Sequence, residues 1–240
     1  MTGSILLTGG SGLLGATLRR LEPGIIAPSH AEMDVCNAEA VTRTMRAHRP
    51  AIVIHAAAMV GTRECDAEPQ RCLDVNVAGT LHVVGAAREV SARVVYVSTD
   101  YVFDGEAGNY RETDPIRPIN LYGRSKAAGE MIALALESAL VVRTSFCASS
   151  GWKYDGAFTD QYSSRDTVDR LAPDILAAAR SPLTGALHVA GDRRSLYDLA
   201  RTLEPSVRPL SIAAMRLPLP RDVSLDCTRW RTERNRLRAS

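Results

Sequence analysis

Tyr122 and Lys126 stand four residues apart in Tyr122-Gly-Arg-Ser-Lys126. On a helix that spacing puts both side chains on one face, one turn apart. An ammonium held there favours ionisation of a nearby phenol and lowers its pKa from about 10. A tyrosine that exchanges a proton near neutral pH is a general acid/base. The pair alone is common by chance, and a second feature gives it meaning. Thr8-Gly9-Gly10-Ser11-Gly12-Leu13-Leu14-Gly15 satisfies G-x-G-x-x-G through Gly10, Gly12 and Gly15. It also satisfies T-G-x-x-G-x-x-G through Gly9, Gly12 and Gly15. Glycines at these points permit a tight turn, close approach of backbone to a pyrophosphate, and tight helix–strand packing. The helix that follows offers N–H groups and a positive dipole end to the phosphates. A dinucleotide beside a proton-donating tyrosine points to hydride transfer to a carbonyl.

The elements that must position these groups alternate. Ser4–Leu7 reads as a buried strand, followed by the glycine turn and a helix to about Glu22. Gly24–Ala27 reads as a second short strand, and a short third strand is expected before Asp34. Asn37 can cap a helix to about His48, closed by Pro50. Ala51–His55 is a strand ending in Ala56-Ala57-Ala58, and Pro69 opens a long helix through Val90. Arg93–Ser98 is a strand, Asp104–Asn120 a loop, Tyr122–Glu137 a helix and Ala139–Arg143 a strand. This predicts an α/β fold with a doubly wound parallel sheet of Rossmann type. Ligands bind past the carboxyl ends of such strands, where Gly15, Ala56, Ser98, Thr99 and Arg143 fall. Residues 1–148 are expected to form the dinucleotide-binding domain. Residues 149–240 are expected to form a small substrate-binding cap interleaved with the core, with a helix at Thr167–Arg180, a strand at Ala186–Val189, a helix capped by Ser195, and proline-rich chain from Pro205 to Pro220.

Composition narrows the class. Hydrophobic residues make up 45% and aromatics 5%, the mixture of buried parallel strands with helices packed on them. A net charge of +2 argues against a nucleic-acid partner or membrane attraction. The arginine-rich tail from Arg229 to Arg238 reads as a solvated terminal helix. Five cysteines without a CxxC or a nearby His pair read as free thiols, with no metal site. The N-terminus has no basic segment with a cleavage site, and no run of about 18 apolar residues occurs, so a cytoplasmic protein is expected.

An acid closing the second strand would bind the ribose 2′-OH and select NAD. Here Ala27-Pro28-Ser29-His30 supplies neither acid nor arginine. Ser29 and His30 can serve a 2′-phosphate, which favours NADP over NAD; both can equally be ordinary loop residues. Asp34, with Val35, can meet the adenine or simply form a turn.

Residues 95–130 contain VYVSTDYVFDG and YRETDPIRPINLYGRSKAAGE. With TGGSGLLG, these resemble the dTDP-4-dehydrorhamnose reductases, extended short-chain dehydrogenases/reductases that reduce the 4-keto group of a nucleotide-linked sugar. The resemblance covers about residues 1–146, returns at Leu187–Leu199 and near Arg221–Asp226, and implies a deoxysugar-biosynthetic role. It makes Tyr122 the general acid, Lys126 the ribose-binding group that holds the tyrosine pKa down, and Thr99 the group that hydrogen-bonds the carbonyl and Tyr122. A hydroxyl at a strand's carboxyl end suits that task on its own chemistry. The resemblance further implies that Asp100 and Tyr101 face the sugar, that the cofactor lies against Ala56, Ala57 and Ala58, and that Asn76 supports the site. Thr144 and Ser145 fall where the family places substrate and nicotinamide contacts.

The departures concern the substrate. Phe146 stands where the family usually has tryptophan, and the following insertion is nearly absent. Arg165 and Arg221 are the cations to place near a diphosphate, or else surface arginines. A shortened cap implies a smaller or different substrate. Two rivals follow from the same resemblance: a sugar-nucleotide epimerase or dehydratase, which recycles its hydride, and a non-catalytic nucleotide-binding subunit of the kind that regulates methionine adenosyltransferase. Homodimers through helices flanking the sheet occur among such relatives.

Overall fold

The protein, seen in a computed structural model, is described over residues 3–215 and 219–239. The chain enters through β1 (Ile5–Thr8), the glycine turn and α1 (Leu13–Leu21), then α2 (Ala38–His48) and β2 (Ile52–His55). Asn37 caps α2 by accepting from the Ala40 N–H at 3.0 Å. Next come α3 (Thr62–Ala67), α4 (Pro69–Leu73), a π-helical turn at Asp74–Ala78 and α5 (Gly79–Glu89). Then follow β3 (Arg93–Thr99), α6 (Leu121–Leu134) and β4 (Leu140–Thr144). The remainder runs β5 (Phe146–Cys147), β6 (Gly156–Phe158), β7 (Tyr162–Ser163), β8 (Asp166–Thr167), α7 (Val168–Arg180), β9 (Gly185–His188), β10 (Arg194–Ser195), α8 (Leu196–Leu203), β11 (Arg208–Leu210), α9 (Ile212–Met215) and α10 (Thr228–Ala239).

The main sheet has the order β1-β2-β3-β4-β9, and every pair is parallel. Alternation along each strand sends side chains to two cores. Ile5, Leu7, Ile52, Ile54, Val95, Val97, Leu140 and Val142 face a cluster with α1, α7 and Trp230 of α10. Leu6, Val53, Val94, Tyr96 and Val141 face the opposite cluster with α2 and α5. Both faces are covered, so the strands read as continuous apolar runs.

Three expectations change. Gly24–Ala27 forms only a single parallel bridge, Ile26 to Leu6, held by Ile26 N–H to Ile5 O at 2.9 Å and Leu7 N–H to Ile26 O at 2.8 Å. Pro28 cannot donate to a ladder, so pairing stops there. Among the described residues, no strand forms between the Ile26 bridge and Asp34. Glu32 instead accepts from the Ser29 N–H and Oγ–H at 2.7 and 2.8 Å, and this local side-chain bonding sustains a turn. The long helix from Pro69 is interrupted by the π-helical turn around Asn76. Ile26 lies on one side of β1 and β2 on the other, so the chain reverses direction across β1 and opens its crevice there.

The C-terminal residues serve both layers: β9 completes the main sheet, while β5 pairs with β8, β6 with β11 and β7 with β10. A small cluster of Ala157, Ala200 and Val207, with Trp152 and Tyr197 against it, forms its own apolar centre. The tail is a helix, α10, anchored by buried Trp230. Of the proline-rich stretch, residues 216–218 lie outside the described residues. All five cysteines are free.

Candidate active site

The glycine turn is built for close backbone approach. Gly9 has φ +73°, and a Cβ there would stand 2.7 Å from the Ala57 N atom. A Cβ on Gly15 would lie 2.1 Å from the Gly9 carbonyl oxygen. Gly12 caps α1 without a side-chain acceptor, and the first turn of α1 carries no acid. Uncapped N–H groups, a positive dipole end and a turn packed so tightly on its own backbone that Gly9 and Gly15 leave no room for a Cβ fit a pyrophosphate. Ser11 is exposed, Leu13 is 43% exposed and Leu14 is buried. Substituting Gly15 by alanine is expected to cost about 1–3 kcal/mol of stability by overpacking the turn against the Gly9 carbonyl, and the displaced turn should weaken dinucleotide binding. Titration of NADPH fluorescence checks this; unchanged affinity would show that the turn does not hold the ligand.

A buried polar chain ties this turn to the rest. Thr8 Oγ1 lies 2.7 Å from His55 Nδ1 and accepts the Ala57 N–H at 3.0 Å. His55 Nε2 lies 3.0 Å from Thr80 Oγ1, which donates to the Asn76 carbonyl at 2.7 Å. Donor counting makes Thr80 the acceptor from His55, so His55 carries its proton on Nε2 and accepts at Nδ1. Burial, aided by Lys126, pushes the His55 pKa down to about 3. Burial and Arg143 push His188 down to about 4. Below pH 6.5 the unfolded chain takes up these protons while the folded chain resists. Stability therefore falls with pH from about 6.5 toward 4 for His188 and toward 3 for His55, by up to about 1.4 kcal/mol per pH unit each. Urea midpoints at pH 7, 5.5 and 4.5 should drop accordingly, and His55→Asn should flatten the trend; a midpoint independent of pH would contradict it.

Asn76 is 1% exposed and spends its amide inside the protein. Its Oδ1 accepts the Met59 N–H at 2.8 Å, and its Nδ2 donates to the Met59 carbonyl at 3.0 Å and to Ser125 Oγ at 2.9 Å. The π-helical turn around it, a feature frequent at functional sites, carries this amide between the chain after β2 and α6. Asn76 is thus a clamp between these two elements. Ser98 is likewise buried and donates to Glu130 Oε1 at 2.5 Å.

Tyr122 and Lys126 lie on the first turns of α6, which Asn120 caps by accepting the Gly123 N–H at 2.8 Å. Thr99 ends β3, where its hydroxyl donates to Asp100 at 3.1 Å and accepts the Tyr101 N–H at 3.2 Å, and it acts on the Tyr122 phenol. Burial drives the Tyr122 pKa above the ordinary phenol range, the Thr99 hydroxyl opposes it, and Asp100 reinforces it. The expectation of a lysine-lowered phenol is thereby corrected: Lys126 is itself desolvated, pulled down to about 7 by burial, with Glu130 and Cys72 acting in the other direction.

Asp100, 1% exposed, accepts from Thr99 Oγ1 at 3.1 Å and Ser163 Oγ at 2.8 Å. Burial raises its pKa against Arg165 and these hydroxyls. The Tyr101 ring meets Tyr122 edge-on, with centroids 6.1 Å apart, and Gln161 donates to its hydroxyl at 3.4 Å. Arg165 donates to Ser145 Oγ at 3.1 Å. Burial works against its charge, but Tyr101 and Asp100 outweigh it and hold its pKa above the ordinary value. So Asp100, Tyr101, Ser145 and Arg165 converge on Tyr122. Thr144 is buried with its hydroxyl unpartnered, and Phe146 is partly buried against the core. Arg221 is exposed; its carbonyl accepts the Tyr162 N–H at 2.7 Å, and no contact among the described residues joins its side chain to the Tyr122 group.

Among the residues expected to meet the adenosine, Ser29 is bound to Glu32, and His30, 83% exposed, lies 3.7 Å from Asp34. Asp34 accepts the Cys36 N–H at 2.9 Å, and the Val35 carbonyl lies 2.9 Å from His82 Nδ1. Ala56, Ala57 and Ala58 are partly exposed beside the glycine turn. Sequence reading missed Glu32, Tyr96, Ser125, Gln161 and Ser163, because each reaches the site through a partner distant in the chain or through a turn not legible locally. Among the described residues, no cluster of His, Cys, Asp or Glu fits a metal ion, and no helix is long and apolar enough to cross a membrane.

A parallel doubly wound sheet, a glycine turn opening α1, and a Thr–Tyr–Lys group past β3 define an NAD(P)-dependent short-chain dehydrogenase/reductase. Residues 2–169 match the family described as RmlD substrate binding domain. The chain is 32% identical to the dTDP-4-keto-6-deoxy-D-glucose reductase of Streptomyces niveus, over 84% of this chain and 77% of that one. It is 36% identical to the dTDP-4-dehydrorhamnose reductase of Aggregatibacter actinomycetemcomitans, over 80% of this chain and 65% of that one. The crystal structure of dTDP-4-dehydrorhamnose reductase from Bacillus anthracis in complex with NADP superimposes with a TM-score of 0.88 at 27% identity, covering 97% of this chain and 93% of that one. The chain belongs to the dTDP-4-dehydrorhamnose reductase family.

Proposed function

We propose that this protein reduces a keto group with NAD(P)H, and that the group is the 4-keto of a nucleotide-linked deoxy sugar. The observation that carries the proposal is buried Lys126 one helical turn on from Tyr122 at the start of α6, with the Tyr122 ring against Tyr101 just past Thr99 at the end of β3. A bound reduced nicotinamide supplies hydride to the carbonyl carbon. Tyr122 delivers its phenolic proton to the oxygen, so ketone becomes alcohol, and Thr99 orients that oxygen. A phenol held protonated by burial is a competent donor, and Lys126 stabilises the phenolate left behind. Asp100, Tyr101 and Arg165 bind the sugar beside the reacting carbon, with Thr144, Ser145 and Phe146 at the end of β4. Residues 149–240 supply the substrate-binding region. NADPH is the first cofactor to test, since the Bacillus anthracis relative holds NADP; Glu32 on Ser29 makes NADH the necessary comparison. The assay is loss of nicotinamide absorbance on adding a 4-keto-6-deoxy nucleotide sugar. Stoichiometric oxidation supports the reductase; turnover without net oxidation would replace it with an epimerase or dehydratase, and tight binding without turnover would leave a regulatory nucleotide-binding role.

A further inference from the structure

Lys126 is 3% exposed, and its ammonium makes no hydrogen bond to the protein among the described residues. What faces it is the Tyr96 ring of β3: Nζ lies 4.1 Å from the ring centroid. Tyr96 is fully buried, and its hydroxyl donates to the Lys126 carbonyl at 3.4 Å, so one side chain meets both ends of the lysine. Gly129 makes this fit possible, because a Cβ there would stand 2.1 Å from the Tyr96 hydroxyl and 2.6 Å from its Cζ. The Tyr96 ring is braced in turn by His55, with centroids 5.7 Å apart and planes tilted by 50°.

The other groups around Lys126 do not replace this contact. Glu130, one turn on along α6, is engaged by Arg143 and Ser98. Cys72 of α4 points its thiol at Ser125, and His55 of β2 is held neutral. Tyr122 stands one turn before Lys126 on the same helix. A desolvated ammonium above an aromatic face gains most where water is excluded.

We infer that Tyr96 is a positioning residue for Lys126, its ring face holding the ammonium charged and aimed along α6 toward Tyr122. The inference rests on the proposed role of Lys126 in catalysis but is tested apart from it. The chain has two lysines, Lys126 and Lys153, so lysine labelled at Cε gives two signals, distinguished by Lys153→Arg. In the wild-type protein the Lys126 ε-methylene protons should resonate upfield, over the ring, and titrate with a midpoint of about 7. Tyr96→Phe keeps the ring and should keep both properties. Tyr96→Leu should abolish the upfield position and lower the midpoint by about one pH unit, with the alkaline limb of kcat/KM moving down equally. A purely structural Tyr96 would lower the melting temperature without moving midpoint or limb, which would overturn the inference. Absence of the upfield shift in the wild-type protein would overturn it too, even if Tyr96→Leu failed to fold. The titration needs neither cofactor nor substrate, so an inactive protein with a normal titration would count against the reductase reading alone.

Discussion

Tyr122→Phe is expected to lower kcat for the keto substrate by about 10²- to 10⁴-fold while leaving NADPH affinity within about threefold. The substitution removes one oxygen and keeps the ring that meets Tyr101 edge-on. Thr99 keeps a second role as the acceptor of the Tyr101 N–H at 3.2 Å, so the turn after β3 should survive. Losing the proton donor without losing the binding surface separates chemistry from affinity, and single-turnover absorbance with a parallel fluorescence titration reads both. Wild-type turnover in this variant would end the assignment of Tyr122 as the acid and shift attention to water or to Asp100, whose carboxyl is held toward its protonated form by burial.

The largest stability effect is expected at Glu130. Its carboxylate meets Arg143 through Nε at 3.0 Å and Nη2 at 2.9 Å, and both side chains are at most 6% exposed. Arg143 otherwise has the Glu112 carbonyl at 3.5 Å, His188 Nε2 at 3.4 Å and the Phe103 ring face at 5.2 Å, none of which neutralises it. Glu130→Leu leaves a buried guanidinium without a counter-ion, which costs about 3–5 kcal/mol and lowers the melting temperature by roughly 10 °C for a chain of this size. The double variant Glu130→Leu with Arg143→Met removes both charges and should recover most of that loss. A single variant within about 2 °C of wild type would show that water or a displaced neighbour satisfies Arg143.

The same pair shows where sequence reading stops. Arg143 was legible as a residue at the end of a strand, facing a ligand crevice. Its guanidinium instead turns to Glu130 on α6, a pairing set by how the helix lies on the sheet. Arg221 and Arg165 were indistinguishable as cations in the sequence. The structure keeps Arg165 among Asp100, Tyr101 and Ser145 and leaves Arg221 exposed.

What the sequence determined by itself is what depends on short-range geometry. The order of strands and helices follows from apolar runs and periodicity, and the parallel double winding from their alternation. The glycine turn follows from the steric demand at Gly9 and Gly15, and the shared face of Tyr122 and Lys126 from the helical repeat. What only the tertiary structure decided is what depends on desolvation and on partners far along the chain. The phenol of Tyr122 is raised rather than lowered, because burial dominates and Asp100 adds to it. Asn76 becomes a clamp because a π-helical turn carries its amide to Met59 and Ser125. Glu32 folds back onto Ser29 where a strand was expected. Spacing along a chain encodes which side chains can share a face; the dielectric around them, and so their charge, exists only once the layers close over them.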